Sequence, residues 1–279
     1  MTKLSVTMRK IKDAIYEILC LLLAIVFVYP VFYMVQASFK THKEFGNPLS
    51  FPSILYLGNY MQVFKQVDVF QVYFNTLILC VGTLSLTIFL ASMTGYTLAR
   101  MKHIFFRICF FIFIAGMIIP FQSNLVLLFK MALFMHLYDT RTFLILLYTA
   151  GGIPLAVFLY MGFTKSIPRE IEESAWIDGC GRFRMFWVIV FPLLLPATGT
   201  YIIMTVYGIW NDFMGPLIFL QDVNKMTLMT KIFQYKLEKN VDYGPIFSLS
   251  VLATLPLLVL FLFTQKYFIK GLTGGALKG

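Results

Sequence analysis

Six stretches of the chain carry no Asp, Glu, Lys or Arg: Ile18 to Phe39, Gln71 to Ala99, Ile108 to Phe129, Thr142 to Thr164, Met185 to Asn211 and Tyr243 to Gln265. Each reaches the ~20 residues that a helix needs to cross a bilayer. They are continuously apolar rather than alternating apolar and polar, which sets aside barrel strands. The pattern predicts an all-α membrane protein of six transmembrane helices forming a single domain over 1–279. Pro30 should kink the first helix or end its regular part. The second run holds Gly82, Thr83, Thr87, Ala91, Ser92 and Gly95. Such small and hydroxyl residues let membrane helices approach closely. Asn75 is the most polar residue of that run. A bundle interior accounts for it, and a place on a solute path is the sharper alternative. In the third run, IIPFQSN carries Pro120 and Gln122. Polar groups at membrane depth are tolerated where they meet protein or a wet cavity, so Gln122 either lines a path or lies at the outer surface beyond a helix that stops at Pro120. The fifth run ends at Trp210, Asn211 and Asp212, where an interfacial tryptophan or an external gate would sit.

Composition agrees with this pattern. Of the 279 residues 59% are hydrophobic and 13% charged, and mean hydropathy is +0.80. A soluble domain rarely has such a balance. The first apolar run is long and lacks an A-x-A cleavage pattern, so it reads as an uncleaved span. With both termini cytoplasmic, most of the 23 Lys and Arg residues fall inside, in the shorter loops, among them Lys3, Arg9, Lys10, Arg100, Lys102, Arg107, Lys165, Arg169, Arg182 and Arg184. The net charge of +10 therefore expresses topology and attraction to anionic membrane lipid, and no compact basic domain is present to hold nucleic acid. Outside, Lys40 to Gln71 reads as a short folded or interfacial segment, and Phe213 to Gly244 as a loop on which a partner protein could dock.

The polar interruption KSIPREIEESAWIDGCGRFRMF, residues 165–186, separates two long apolar runs. Pro168 suits a first helical turn, and Glu170, Glu172 and Glu173 place negative charge at that helix's positive end. Gly179 ends the helix in the left-handed conformation. Ile171, Ser174, Ala175 and Asp178 recur at spacings of three and four, so they share one narrow face. Small residues there permit close approach, and acidic groups offer charged hydrogen bonds. Arg182 and Arg184 mark a cytoplasmic membrane edge, as Arg100 and its basic neighbours do after the second span.

The spacing Glu173, Ser174, Ala175, Asp178, Gly179, then Phe186, Ile189 and Pro192, resembles the EAA loop of ABC importer permeases. Ser174 stands where alanine is usual, and Cys180 where a small residue is common. The tail QKYFIKGLTGGALKG, residues 266–279 with Gln265 before them, is similar to that of the second membrane subunit of maltose-type carbohydrate importers, through Gly271, Thr273, Gly274 and Gly275. The resemblance covers nearly the whole chain. It implies a type I ABC importer permease fold in a bacterial inner membrane, with a coupling helix that docks into a separate ATPase subunit and a cytoplasmic tail. It also implies a second homologous permease, two ATPase subunits, an extracytoplasmic solute-binding protein and a sugar as solute, with a non-sugar solute as the alternative.

Absences narrow the classes. No G-x-x-x-x-G-K-[ST] stretch occurs to hold ATP phosphates, so energy must come from another subunit and the chain is read as a transport component without cofactor. Cys20, Cys80, Cys109 and Cys180 form no C-x-x-C pair, and His42, His103 and His136 are scattered, so no metal site is expected. An ion-coupled carrier usually needs ionisable groups at membrane depth, and the six runs have none. A membrane-embedded enzyme would need convergent titratable groups, for which only the acids of EESAWID are at hand.

Overall fold

The computed structural model describes the backbone of residues 3–47, 49–238 and 242–276, and the side chains of 12–47, 49–234 and 242–265. Among the described residues there are helices and turns and no strand. In chain order the helices are α1 (Lys3–Ala37), α2 (Gly58–Gln66), α3 (Val69–Arg100), α4 (Ile104–Gly116), α5 (Leu125–Phe134), α6 (Arg141–Ser166), α7 (Arg169–Ile177), α8 (Arg182–Met185), α9 (Phe191–Leu193), α10 (Leu195–Trp210), α11 (Met214–Phe219), α12 (Leu228–Glu238) and α13 (Tyr243–Ala276). Side chains of the predicted tail, 266–279, and of Lys3, Arg9 and Lys10 lie outside the described residues, while the backbone of α13 carries the helix on to Ala276.

Four segments are single helices long and apolar enough to cross a membrane: Lys12–Ala37, Val69–Arg100, Arg141–Lys165 and Tyr243–Gln265. The third and fifth runs are bent instead, by 90° between α4 and α5 and by 70° between α9 and α10. Counting each bent pair as one span gives the predicted six. The first bend has its cause in Pro120, which lacks an N–H. It sits extended at φ −63°, ψ 133° ahead of a 3₁₀ turn, Phe121–Asn124. Helix α4 has already stopped at Gly116. In the second bend Pro192 follows a π-helical turn, Phe186–Val190. Leu194 then leaves helical geometry at ψ 0° just before Pro196. The π-helix is rare, and where it occurs it is mostly a single turn inside a helix, as here. Pro30, by contrast, does not end α1, which is continuous from Lys3 to Ala37. Local adjustments and neighbouring groups satisfy the carbonyl that a membrane-helix proline frees.

The chain contacts cluster into two compact units, where the sequence reads as one domain. The first comprises residues 1–68 and 234–255. Here the segment after α1 is folded, as expected. Asn59 donates to the carbonyls of Ser38 and Lys40, each at 2.8 Å, and Ser248 Oγ donates to the Ser38 carbonyl at 3.1 Å. Lys40, read as an external charge, is fully buried over the Tyr33 ring. Glu44 accepts from the backbone N–H groups of Ser53 and Thr41, which hold its carboxyl down to about 2.

The second unit comprises residues 69–233 and 256–279, and its core is α3 packed along α6. The small residues of α3 allow the close approach that their type predicts. A Cβ on Gly95 would lie 2.7 Å from Tyr160 Cβ and 2.9 Å from the Met161 nitrogen, and one on Gly82 would lie 2.7 Å from Ile145 Cδ1. Helix α10 joins through Tyr160 and Thr198, whose hydroxyls are 2.9 Å apart, and through the buried Tyr201 against Gly152. This unit holds every residue of the candidate site.

Candidate functional site

Helix α7 is separated from its neighbours by two non-helical joints. On the N-terminal side Ile167 and Pro168 are extended, with ψ 124° and 138°, so Pro168 precedes the helix rather than opening its first turn. Proline disfavours helical geometry in the residue before it. That stops α6 at Ser166. On the C-terminal side Gly179 takes φ 78°. The Cys180 N–H bonds the Ala175 carbonyl and the Gly179 N–H that of Trp176, both at 3.0 Å. Backbone bonds of this kind close a helix on a left-handed residue. A Cβ at Gly179 would meet nothing within 4 Å. Backbone conformation and not space therefore requires glycine here.

One side of α7 is bound to the end of α3. Glu172 Oε2 accepts from Tyr96 Oη at 2.7 Å, while Oε1 accepts from Arg100 Nε at 2.7 Å and also from Arg100 Nη2. Arg100 Nη2 donates in addition to the Ile167 carbonyl at 3.0 Å, and Arg169 Nη2 donates to the Arg100 carbonyl at 3.3 Å. The Arg100 and Glu172 side chains are each 13% exposed. Water therefore screens the pair weakly, and its members need the further hydrogen bonds that Tyr96 and the Ile167 carbonyl supply. Ala175 lies on this side too, buried rather than on the more open face with Ile171, Ser174 and Asp178. Neighbouring helical residues are turned by ~100°, so Ser174 and Ala175 look in different directions.

The rest of this end is open. Glu173, Ser174 and Asp178 are exposed, as are three large apolar side chains, Trp176 at 71%, Ile177 at 86% and Phe183 at 64%. A cleft of about 640 Å³ lies between α7, α8 and the end of α3, with Tyr96, Arg100, Glu172, Trp176, Phe183 and Phe186 among its walls. The sequence alone assigns Glu172 to the helix's charged end and Arg100 to membrane anchoring, and does not single out Trp176, Ile177 or Phe183. The i, i+4 spacing of Tyr96 and Arg100, which puts both on one face at the end of a span, is the signal that could find the pair.

The three pathway candidates occupy different settings. Asn75 is 1% exposed and fully engaged: it donates to the carbonyls of Asn224 at 2.8 Å and Met226 at 2.9 Å, and accepts from Arg141 Nη2 at 2.7 Å. It fastens the beginning of α3 to the segment around Asn224 and Met226 and to Arg141 at the start of α6. Gln122 is exposed at the bend between α4 and α5. Asn211 caps its own helix by donating to the Tyr207 carbonyl at 2.8 Å. The next residue, Asp212, is the better connected: it accepts from Tyr148 Oη at 2.6 Å and from the N–H groups of Met214 and Gly215. Gly215 leaves room for this, since a Cβ there would lie 2.6 Å from Asp212 Oδ2. Near Asn75, Asp139 takes φ 55° and binds Lys225 Nζ at 2.9 Å through Oδ2, while Oδ1 accepts from the Gln221 and Asp222 N–H groups. Among the described residues no group of three or more His, Cys, Asp or Glu side chains is placed to hold a metal ion.

Residues 87–274, which include α7 and both of its joints, match the family described as binding-protein-dependent transport system inner membrane component. The chain is 35% identical over 277 residues to the melibiose/raffinose/stachyose import permease protein MelC of Bacillus subtilis (strain 168), covering 98% of this chain and 100% of the relative. It is 34% identical over 274 residues to the probable starch degradation products transport system permease protein AmyC of Thermoanaerobacterium thermosulfurigenes, covering 97% and 100%. Its fold is similar to that of a chain in a bacterial ABC transporter involved in the import of the acidic polysaccharide alginate, with a TM-score of 0.82 at 19% identity over 93% of this chain and 97% of that one. Multi-pass, nearly all helical and matched from end to end, the chain is a membrane transport component rather than an enzyme, and it belongs to the family of binding-protein-dependent transport system inner membrane components.

Proposed function

We propose that this chain is one of two permease subunits of an ATP-driven, binding-protein-dependent carbohydrate importer, and that α7 is the surface through which a separate ATPase subunit drives it. The observation that carries this reading is the two-sidedness of α7. Its Glu172 is satisfied by α3, while the surface left over presents Glu173, Ser174, Ile177 and Asp178, with Trp176 exposed beside Glu172 at the mouth of the cleft. Large apolar side chains beside charges, on a short helix at the end of a span, suit a protein partner. Gly179 shapes the end of that surface.

Orientation follows from charge. Arg100, Lys102, Arg107, Lys165, Arg169, Arg182 and Arg184 gather around α7 and the ends of α3, α6 and α8. This end therefore faces the cytoplasm, and an even number of spans puts both termini on the same side. The Asn75 end then faces outward, toward a solute-binding protein. A sugar is the solute favoured by full-length relatives named for the import of oligosaccharides and of starch degradation products. ATP binding would close the ATPase pair, displace α7 and rotate the spans from inward-open to outward-open. The chain itself contributes half of the pathway, completed by a second, homologous permease.

The test is ATP hydrolysis by the complex that copurifies with the tagged chain from its native membrane, with binding protein and candidate sugars added. Hydrolysis that rises with one sugar, together with a second permease in the complex, is the expected result. A complex devoid of ATPase would overturn the reading.

A further inference from the structure

In α7 the covalent connections are the weak mechanical links. The helix spans Arg169–Ile177, leaves α6 through the extended pair Ile167–Pro168 and reaches α8 through Gly179, Cys180 and Gly181. Two such joints let a short helix pivot without moving the spans that flank it in sequence. The non-covalent connections run to a span distant in the chain: Tyr96 and Arg100 on Glu172, Arg100 on the Ile167 carbonyl, and Arg169 on the Arg100 carbonyl. These bonds grip α7 at its first turn and at the joint just before it, and they converge on the end of α3.

We infer that the Arg100–Glu172 pair, completed by Tyr96, is a latch that makes α3 move with α7, so that displacement of the loop helix is delivered to the second span rather than only to the spans on either side of the loop. The inference rests on the proposed role of α7 as the driven surface. Helix α3 is a suitable receiver. It meets α6 at glycine contacts too close for a side chain, at Gly82 and Gly95, and α6 is tied to α10 through the Tyr160 and Thr198 hydroxyls. A pull on Arg100 therefore reaches three packed helices at once. The geometry suits a latch for a further reason: Arg100 uses two nitrogens on one carboxylate oxygen while Tyr96 holds the other. Charged hydrogen bonds from two directions fix Glu172 in orientation as well as position. Arg100 and Glu172 are thus positioning residues for coupling and do not touch solute or nucleotide.

The experiment uses the whole complex reconstituted in liposomes, with the binding protein and its sugar, comparing wild type with Glu172→Gln, Arg100→Gln, Arg100→Lys and the reversed pair Arg100→Glu with Glu172→Arg. Two quantities are read for each: ATPase subunits copurifying per permease, and sugar transported per ATP hydrolysed. With the latch broken, the ATPase stays bound and sugar per ATP falls about fivefold or more, the scale of an ordinary coupling free energy. Arg100→Lys, which keeps the charge but not the two-nitrogen grip, falls less, and the reversed pair recovers much of the loss. A purely structural role would lower the yield of assembled complex and leave sugar per ATP in the assembled fraction unchanged, which would overturn the inference. So would loss of the ATPase subunits in step with the loss of transport, since the pair would then belong to docking. Failure of the importer reading itself looks different, because the wild-type complex would then show no sugar-dependent ATP hydrolysis at all.

Discussion

The two ends of α3 are built on different plans. Asn75 and Arg100 lie on this one helix, separated by about 37 Å at a rise of ~1.5 Å per residue. At the Asn75 end a neutral amide collects carbonyls from Asn224 and Met226 and a guanidinium from Arg141, and the Asp139–Lys225 pair ties the same loops together. Every thread of that knot is the chain's own. At the Arg100 end a charged pair holds one short helix whose remaining surface is open, with its Trp176 and Ile177 and the neighbouring Phe183 mostly exposed. On the role proposed for α7, a closed knot at one end and a half-finished contact at the other make α3 a lever with a fixed end and a driven end. Where the helix is meant to stay, the fold supplies the partners itself. Where it is meant to be moved, it supplies only the inner half.

Breaking the closed end should have the larger effect on stability. Asn75→Leu keeps the size but strips two carbonyls of a donor and Arg141 of an acceptor. The Asn224 carbonyl keeps Gln71 and Arg141 as donors, so the Met226 carbonyl is the group left bare; that costs ~1–3 kcal/mol and the lost bond from the charged Arg141 adds to it, for about 3 kcal/mol in all. Thermal unfolding of the purified complex should show a lowered midpoint. An unchanged midpoint would mean that the loops at this end are held by other bonds.

The driven end should answer differently. Gly179→Val places a β-branched residue at φ 78°, where there is room for the side chain but not for the conformation. The left-handed geometry costs roughly 1–2 kcal/mol, confined to the end of α7. The unfolding midpoint should therefore move less than in Asn75→Leu, and membrane insertion should persist, while sugar-stimulated ATP hydrolysis is abolished. Stimulation at the wild-type level would count against α7 as the driven surface.

What the sequence reveals divides along the same line. The apolar runs are legible because a bilayer asks only for length and low charge, and Gly179 is legible because the left-handed turn is a local demand. The bends are less so: Pro120, Pro192 and Pro196 are visible, but α1, α6 and α13 run through Pro30, Pro154 and Pro256, so proline alone does not say which helix breaks. Periodicity tells which residues of α7 share a side but not which side looks inward, and so it groups the buried Ala175 with the exposed Ser174. The Arg100–Glu172 and Asn75–Asn224 contacts join residues 72 and 149 apart in the chain, and no local pattern encodes such pairs. An arginine at a membrane edge reads the same whether it anchors in lipid or grips a glutamate.

The smallest effect belongs to the Asp139–Lys225 pair at the closed end. Burial alone would raise the Asp139 carboxyl, but hydrogen bonds from Lys225 and from the Gln221 and Asp222 N–H groups outweigh it and bring the group below the ordinary 3.8. Asp139 raises Lys225 above 10.5 in return. A depressed carboxylate adds stability that is whole above its unfolded pKa and is lost as pH falls through its folded one, so the pair's share should begin to fall near the ordinary 3.8 and go as pH passes the lower folded value. A raised lysine adds stability that is whole below its unfolded pKa and is lost only as pH climbs through its folded one, above about 10.5. Between those limits Lys225→Met should cost less than about 1 kcal/mol, as partly exposed pairs do. The check is the difference in unfolding midpoint between wild type and Lys225→Met at neutral pH and at a pH just below the ordinary Asp value, with all other acid-labile groups common to both. The difference should shrink on acidification; a difference that is the same at both values would show that Lys225 acts through its packing and its bond to the Asp139 carbonyl, and that the closed end owes nothing to charge.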